Sequence, residues 1–567
     1  MRARALKASC ARAKKALMAS SAVVLSPAPH LRALSGAAVS GMAGAIARAP
    51  TAVTAFVGRT LKGPVNRALA IANFGEFQQH FGGLWQPSTV AYAVEQFFEN
   101  GGRHAYVVRV ANGARPPTLT LRAGVEELRL QGINPGSREY LRASVDYDGI
   151  RAEESDLFNL VVQRLRAAPS EQIEDQEIFR RVSIAARAER AIRDVLLESR
   201  LVHVLGALPA VRPDRSIRSP QAPVVGYVNS NPDGDDGAAL TDYDVIGSAL
   251  EATGLFALQA VEGFNLLCIP PLGREQDVGM STLMIAARFC RERHAMLLVD
   301  PPAAWSSACA ALEALRSWPF RSENALMHFP RLTAFDRLRG RVETFAPCGA
   351  VAGMLARLDE AWPVWAAAQS EDATLRLGSR PATVVTDSER VRLAQAGVNT
   401  LLAVRAPAAP SVAACTLAAG GGVSPDWKYL SARRLALFIN ASIERGTRWL
   451  AFEQNSHPAW QRAREQTEAF LDALDVEGAF AGAAAEESYF VICDERVNTP
   501  ESVSQGKVKI LYGFALTRPC DFHACLVTHQ NGGSQVRTVS ANRQATSQRR
   551  LEWEIETSIL RGIVIGP

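Results

Sequence analysis

The sequence predicts a multidomain α+β protein with a β-rich domain and an α/β domain inserted into a base domain. At 567 residues it exceeds what one hydrophobic core holds, and about two to four domains follow from that length. Residues 213–405 alternate strand-length apolar runs with helix-length amphipathic runs, the signature of a parallel sheet covered by helices. Residues 111–212 instead string short strand-length runs between turn residues. The stretch 51–110 is too small to bury a sheet alone, and 425–540 supplies compatible helices and strands. The economical solution is one base α+β domain built from both chain ends, with 111–405 inserted. Loop closure permits it, because its cost grows only logarithmically with length.

The elements follow in order. Residues 1–50 form a basic low-complexity arm, with eight Lys or Arg and no acid. The stretch reads as a flexible arm, as residues ahead of the true start, or as a targeting segment. Order is expected from Thr51. Residues 52–58 and 69–72 read as strands, and Asn73 caps a helix carrying Phe77 and Phe81. Gly82-Gly83 stops it. Ser88 caps a second helix whose Val90, Val94, Phe97 and Phe98 form an apolar stripe, before a strand over 105–110. In 111–212, strands are expected over 119–121, 128–130, 141–146 and 159–164, with a helical link over 178–184 and 188–197. In 213–405, strands are expected over 266–269, 295–299 and 325–329, with a helix capped by Ser281 and another over 312–317. The Ala-, Pro- and Gly-rich tract 406–424 reads as a linker.

The block 425–540 opens on an amphipathic helix. Ala432, Leu435, Ala436, Ile439 and Ile443 recur at helical spacing, while Lys428, Arg433, Asn440 and Glu444 fall mostly elsewhere on the wheel. Gly446 is placed to end it in a left-handed cap. A buried strand is expected over 449–452, a helix over 458–474, and strands over 489–493, 508–516 and 522–528. The C-terminal arm, 541–567, alternates Leu551, Trp553 and Ile555 with charged residues, then runs Ile563-Val564-Ile565. That pattern suits either a strand added to another subunit's sheet or an edge strand on its own domain.

The formal charge of +5, less the eight basic residues of the arm, leaves the remaining chain at −3, so the charge balance gives no argument for nucleic-acid binding. No uninterrupted apolar run approaches a membrane span. The nine cysteines form no Cys-x-x-Cys and no zinc spacing; Cys268, Cys290 and Cys493 lie in apolar runs and read as buried thiols. The acidic stretch Asp233-Gly234-Asp235-Asp236-Gly237 lacks the spacing of a calcium loop and reads as a tight turn before the helix after Asp242. Ser281 follows a weak nucleophile-like turn, but no His lies between Pro213 and Ser281, against a Ser-His-Asp triad in the subtilisin order. No phosphate-binding loop is present. Arg433, Arg434, Arg462 and Arg464, on amphipathic helices, suit an acidic partner surface or a solvated helix face.

Short motifs in order along the chain carry a resemblance. They include Thr54 with Phe56-Val57-Gly58-Arg59, Phe97-Phe98-x-Asn100-Gly101-Gly102, Asn265-Leu266-Leu267, Asp300-Pro301-Pro302 and Gly349-x-x-Ala352-Gly353. The series continues through Lys428-Tyr429, Arg433-Arg434, Gly446-Thr447-Arg448-Trp449, Lys509 to Ala515, Arg518-Pro519 and Phe522-His523. Together these resemble contractile tail sheath proteins. The family's Pro-Gly-Val-Tyr strand ahead of Thr51 is absent here.

The resemblance implies a middle α/β domain of subtilisin-like topology (213–405), an inserted β-sandwich (111–212), no cofactor, no metal and no catalysis. It implies a helical homo-oligomer of hexameric discs around an inner tube protein, ending at baseplate and tail terminator proteins, with no nucleic acid and no membrane insertion. Lys428, Arg433, Arg434, Arg462 and Arg464 would face the tube. Leu551, Trp553, Ile555, Ile563, Val564 and Ile565 would exchange strands between neighbours. Assembly would be cytoplasmic, within a phage tail or an injection particle. The alternatives are a subtilisin-like hydrolase and a non-contractile scaffold of the same fold.

Overall fold

The computed structural model describes residues 44–167, 170–216, 226–366, 374–376, 378–402, 413–420, 425–519 and 521–539. They fall in one unit, Gly44–Pro567. The predicted C-terminal arm and most of the N-terminal arm lie outside the described residues. The described residues begin at Gly44, ahead of the expected Thr51, and Ile46 and Ala49 are buried.

Strand β1 (Thr54–Gly58) is buried throughout, so it sits inside a sheet and needs a neighbour on each side. The strand β2 (Ala68–Ile71) and helices α1 (Phe74–Phe81) and α2 (Thr89–Glu99) lead to β3 (Ala105–Arg109), which flanks β1 in parallel. Asn73 and Ser88 cap the two helices as their sequence positions predict.

The other neighbour of β1 comes from the middle of the chain. Before it come β4 (Thr118–Ala123), β5 (Glu126–Gly132), β6 (Tyr140–Asp146), β7 (Leu157–Leu165), β8 (Ile173–Ser183), helix α3 (Ile192–Val195), β9 (Val202–Val204) and β10 (Val228–Asn229). These strands form two sheets, β10-β6-β7-β8 and β4-β5-β9, around one apolar core. The expected helix over 178–184 is part of β8. Its side chains alternate in exposure, and Arg181 takes a left-handed φ of 51° where the register with β7 shifts.

After α4 (Asp242–Ile246) come β11 (Leu266–Cys268), α5 (Met280–Glu292), β12 (Met296–Val299), α6 (Ala308–Ser317) and β13 (Ala325–Phe329). A hairpin, β14 (Leu332–Asp336) and β15 (Arg341–Phe345), precedes α7 (Cys348–Ala361), β16 (Arg380–Pro381), α8 (Asp387–Gln395) and β17 (Asn399–Thr400). The central sheet runs β17-β13-β12-β11-β1-β3-β2, parallel except for β2. Alternation sends Ala55, Val57 and Leu267 into the core under α5 and α6. It sends Phe56 and Cys268 into the core under α1, α2 and α7.

This corrects the expected base domain. The strands of 51–110 are completed by β11, not by the C-terminal block. That block closes its own antiparallel sheet from β18 (Tyr489–Ile492), β19 (Val508–Ala515), β20 (Phe522–Gln530) and β21 (Gly533–Val539). Helices α9 (Leu430–Gly446) and α10 (His457–Val476) pack on one face of this sheet. The strand expected over 449–452 is instead a 3-10 turn, Arg448–Ala451. Gly446 is the last helical residue rather than a left-handed cap, and a Cβ there would meet Ile46 at 2.7 Å. In the tract expected to be a linker, Leu417 is fully buried in the central core.

Candidate assembly surface

Helix α9 was expected to bury one stripe. It is buried nearly all round, Arg433 and Asn440 included, because it lies between the central sheet and the C-terminal sheet. Leu430 and Leu437 enter the core of the central sheet, whereas Leu435, Phe438 and Ile439 enter the C-terminal core. Its polar groups are spent across the same seam. The Arg433 guanidinium reaches Glu323 at 3.0 Å, donates to Asn324 at 2.5 Å and stacks over Trp427 at 4.7 Å. Burial lowers the pKa of that guanidinium, with Glu323 opposing the shift. Arg434 makes a bidentate pair with Asp359 at 2.8 and 2.5 Å, and His294 meets Glu444 at 2.9 Å.

Arg433 and Arg434 are therefore withdrawn from the expected tube-facing set, because burial and intrachain pairing leave no surface to offer. Arg462 and Arg464 are about half exposed. Arg462 pairs with Glu453 and stacks on Trp449 at 3.7 Å, and Arg464 pairs with Glu468 at 2.8 Å. Lys428 lies 4.7 Å from the Tyr429 ring. The strand-exchange residues Leu551, Trp553, Ile555, Ile563, Val564 and Ile565 lie outside the described residues. Among those described, β21 ends the chain as an edge strand of its sheet.

The acidic stretch 233–237 is a stitch between the β-rich domain and the central sheet. Asp233 accepts from the backbone and hydroxyl of Thr118 at 2.8 and 2.5 Å, and Asp236 does the same with Ser137 at 2.8 and 2.7 Å. Arg59 donates to the carbonyls of Asp236 and Gly237. The helix after it is capped by Thr241 with Asp244 closing a capping box, not by this turn. Nearby, Arg109 is fully buried and donates to the carbonyls of Gly63 and Pro135 at 2.6 and 2.8 Å. Among the described residues no His, Cys, Asp and Glu cluster could hold a metal ion.

Ser281 is the second residue of α5, whose N-cap is Gly279. A different serine, Ser534, meets an imidazole. Thr447 Oγ1 donates to the Ile443 carbonyl at 2.6 Å, so it accepts from His529 Nε2 at 2.8 Å; His529 Nδ1 then accepts from Ser534 Oγ at 2.7 Å. Burial pulls this imidazole down to about 4, with Glu444 opposing, which makes it a weak base. Among the described residues no carboxylate hydrogen-bonds the ring, so the trio pins the β20–β21 turn to the end of α9. A fluorophosphonate serine probe is expected to leave the native chain and Ser534→Ala equally unlabelled by mass spectrometry.

Asp300, after β12, accepts from the Cys348 N–H at the start of α7 at 2.8 Å, while its Oδ2 is closed off from solvent with no hydrogen-bond partner among the described residues. Desolvation raises its pKa to about 6, against the hydrogen bonds from Cys348. The native state thus holds this proton more tightly than the unfolded chain, and stability contributed by the protonated form is lost as pH rises from about 4 through about 6. Relative to the native chain, Asp300→Asn is expected to gain about 3 kcal/mol over that window, read from urea melts in a pH series.

With this geometry in hand, comparison with known proteins is informative in one direction. No family model matches the sequence, and no curated protein matches it. Among solved structures, the sheath tail protein Lin1278 from Listeria innocua superposes with a TM-score of 0.54 at 13% identity, covering 87% of this chain and 96% of that one. The chain has the tail sheath fold. The sheath of an extracellular contractile injection system, the PVC sheath complex in its contracted state, aligns over 88% of this chain and 97% of its own at 16% identity and a TM-score of 0.49. The sheath tail protein DSY3957 from Desulfitobacterium hafniense aligns over 90% and 100% at 12% identity and a TM-score of 0.48.

On this sheath fold, sequence reasoning missed the interdomain role of α9 and a second close contact between α2 and α7. Gly349 and Gly353 lie four residues apart on one face of α7, where Cβ atoms would overlap the carbonyl oxygens of Ala93 and Phe97. That spacing was visible in the Gly349-x-x-Ala352-Gly353 motif.

Proposed function

We propose that this chain is a structural, non-enzymatic subunit of a contractile tail sheath that polymerises around an inner tube. The observation that carries the reading is the extent of the fold match: nearly the whole of a sheath tail protein, and most of this chain, superpose in one alignment. The parallel sheet of the middle segment is the domain to which a subtilisin-like topology would apply. Hexameric discs, a tube at the core, and baseplate and terminator proteins at the ends complete the assembly. Contraction is a downhill change between two packings of the same subunits and needs no nucleotide. Lys428, Arg462 and Arg464 remain the tube-facing candidates of the original set, and the segment after Val539 is the strand exchanged with a neighbour.

Negative-stain electron microscopy of the purified chain tests this. Long, striated, hollow cylinders are expected, and truncation after Val539 is expected to abolish them while leaving the chain folded. A chain that stays monomeric alone and also when co-expressed with an inner tube protein of the same particle would remove the sheath reading and leave the scaffold.

A further inference from the structure

Near the His294–Glu444 contact, three arginines are left without a hydrogen bond or close ion pair among the described residues. Arg291, Arg445 and Arg448 are exposed, and none makes a side-chain hydrogen bond or ion pair among the described residues. The carboxylates beside them in sequence are engaged within the chain, Glu444 with His294 and with the field of Arg448, and Glu292 with Arg288. Phe452, 88% exposed, stands four residues beyond Arg448 and adds an apolar face. Elsewhere on the C-terminal domain the balance reverses. Asp472 and Glu486 are exposed, Asp475 is half-buried, and none of the three pairs with Lys or Arg among the described residues. Val476 beside them is 82% exposed. Burial first, then Asp472, Glu468 and Asp475, pushes the Tyr489 phenol up to about 12, a mark of the negative field there.

Within one chain the two patches do not pair. We infer that the Arg291–Arg445–Arg448 patch of one copy docks on the Asp472–Asp475–Glu486 patch of the next, with Phe452 and Val476 as the apolar contacts. Unpaired arginines at an exposed aromatic are the composition of an interface centre, and opposite fields fix partner and register. A contact between two different patches is head-to-tail, so it propagates into rings or helices instead of closing a dimer. The inference rests on the self-assembly reading and adds which surfaces meet.

Charge reversal in two complementary variants tests it. One is Arg291→Glu/Arg445→Glu/Arg448→Glu; the other is Asp472→Arg/Asp475→Arg/Glu486→Arg. All six side chains are partly or fully exposed, and unchanged thermal melts would certify folding. Each variant alone is expected to lose sedimentable polymer by about tenfold or more, and an equimolar mixture to regain it, because every junction in an alternating polymer is again opposite in charge. If the native chain forms cylinders and both variants do too, this contact is wrong and the sheath reading stands. If each variant fails and the mixture fails as well, the patches face some other acidic or basic partner, such as the tube, and the copy-to-copy contact is overturned. A native chain that never assembles overturns both.

Discussion

Gly353→Ala is expected to destabilise the chain by about 3 kcal/mol, and the pair Gly349→Ala/Gly353→Ala to leave little folded protein at room temperature. The helices α2 and α7 cross with backbone against backbone. A Cβ on Gly349 would come within 2.7 Å of Ala93 Cα as well as striking its carbonyl. One on Gly353 would strike the Phe97 carbonyl and come within 3.0 Å of Asn100 Cβ. Neither obstacle is the far end of a flexible side chain. Relief requires α7 to lift from α2, which opens the apolar layer holding Phe97, Val94, Val351 and Leu355. Adding a methyl group in a helix interior would by itself favour folding by up to about 1 kcal/mol, so the sign of the result separates steric overlap from helix propensity. Urea unfolding followed by circular dichroism reads it. A stabilised Gly353→Ala variant would contradict the packing described for these helices.

Arg434→Met is expected to cost about 3 kcal/mol or more, because it strands the Asp359 carboxylate, whose side chain is only 5% exposed. Asp359→Leu is expected to cost a similar amount for the mirror-image reason. The double variant Arg434→Met/Asp359→Leu should be less damaged than either single one, since removing both charges also removes both desolvation penalties. The cycle, run by urea denaturation at neutral pH, distinguishes a clamp from a surface charge. Substituting a tube-facing arginine on a solvated helix would change stability by less than about 0.5 kcal/mol.

The reason Arg434 was misread shows where the sequence stops being legible. Periodicity reports which residues of a helix are apolar, and α9 has one clear stripe. It does not report that a second domain covers the opposite face, where arginines paired with Glu323 and Asp359 from distant segments satisfy the burial. The same limit explains the misplaced domain boundary. That β1 is a buried strand was plain from its composition, but whether its neighbour is β11 or a C-terminal strand depends on long-range pairing, which no local pattern encodes. Local signals fared better. The Asn73 and Ser88 caps, the three C-terminal strands and the strand–helix alternation after residue 260 were readable because each rests on neighbouring residues alone. The 3-10 turn at 448–451 was not, since an apolar run of four has no period.

The insertion of the β-rich domain between β3 and β11 has a consequence for how the protein is made. On the ribosome, β1 emerges first but cannot complete its place in the central sheet until β11 appears about 210 residues later, a wait of roughly 10–40 s at ordinary synthesis rates. The β-rich domain has all its strands by residue 229 and its own core, so it can fold while the first three strands of the central sheet still lack β11. Nascent chains stalled near residue 270, where β10 has cleared the ribosomal tunnel and β11 has not, are thus expected to carry a protease-resistant insert tethered to an unfinished sheet, with Ala55, Phe56 and Val57 still unpaired on its open edge.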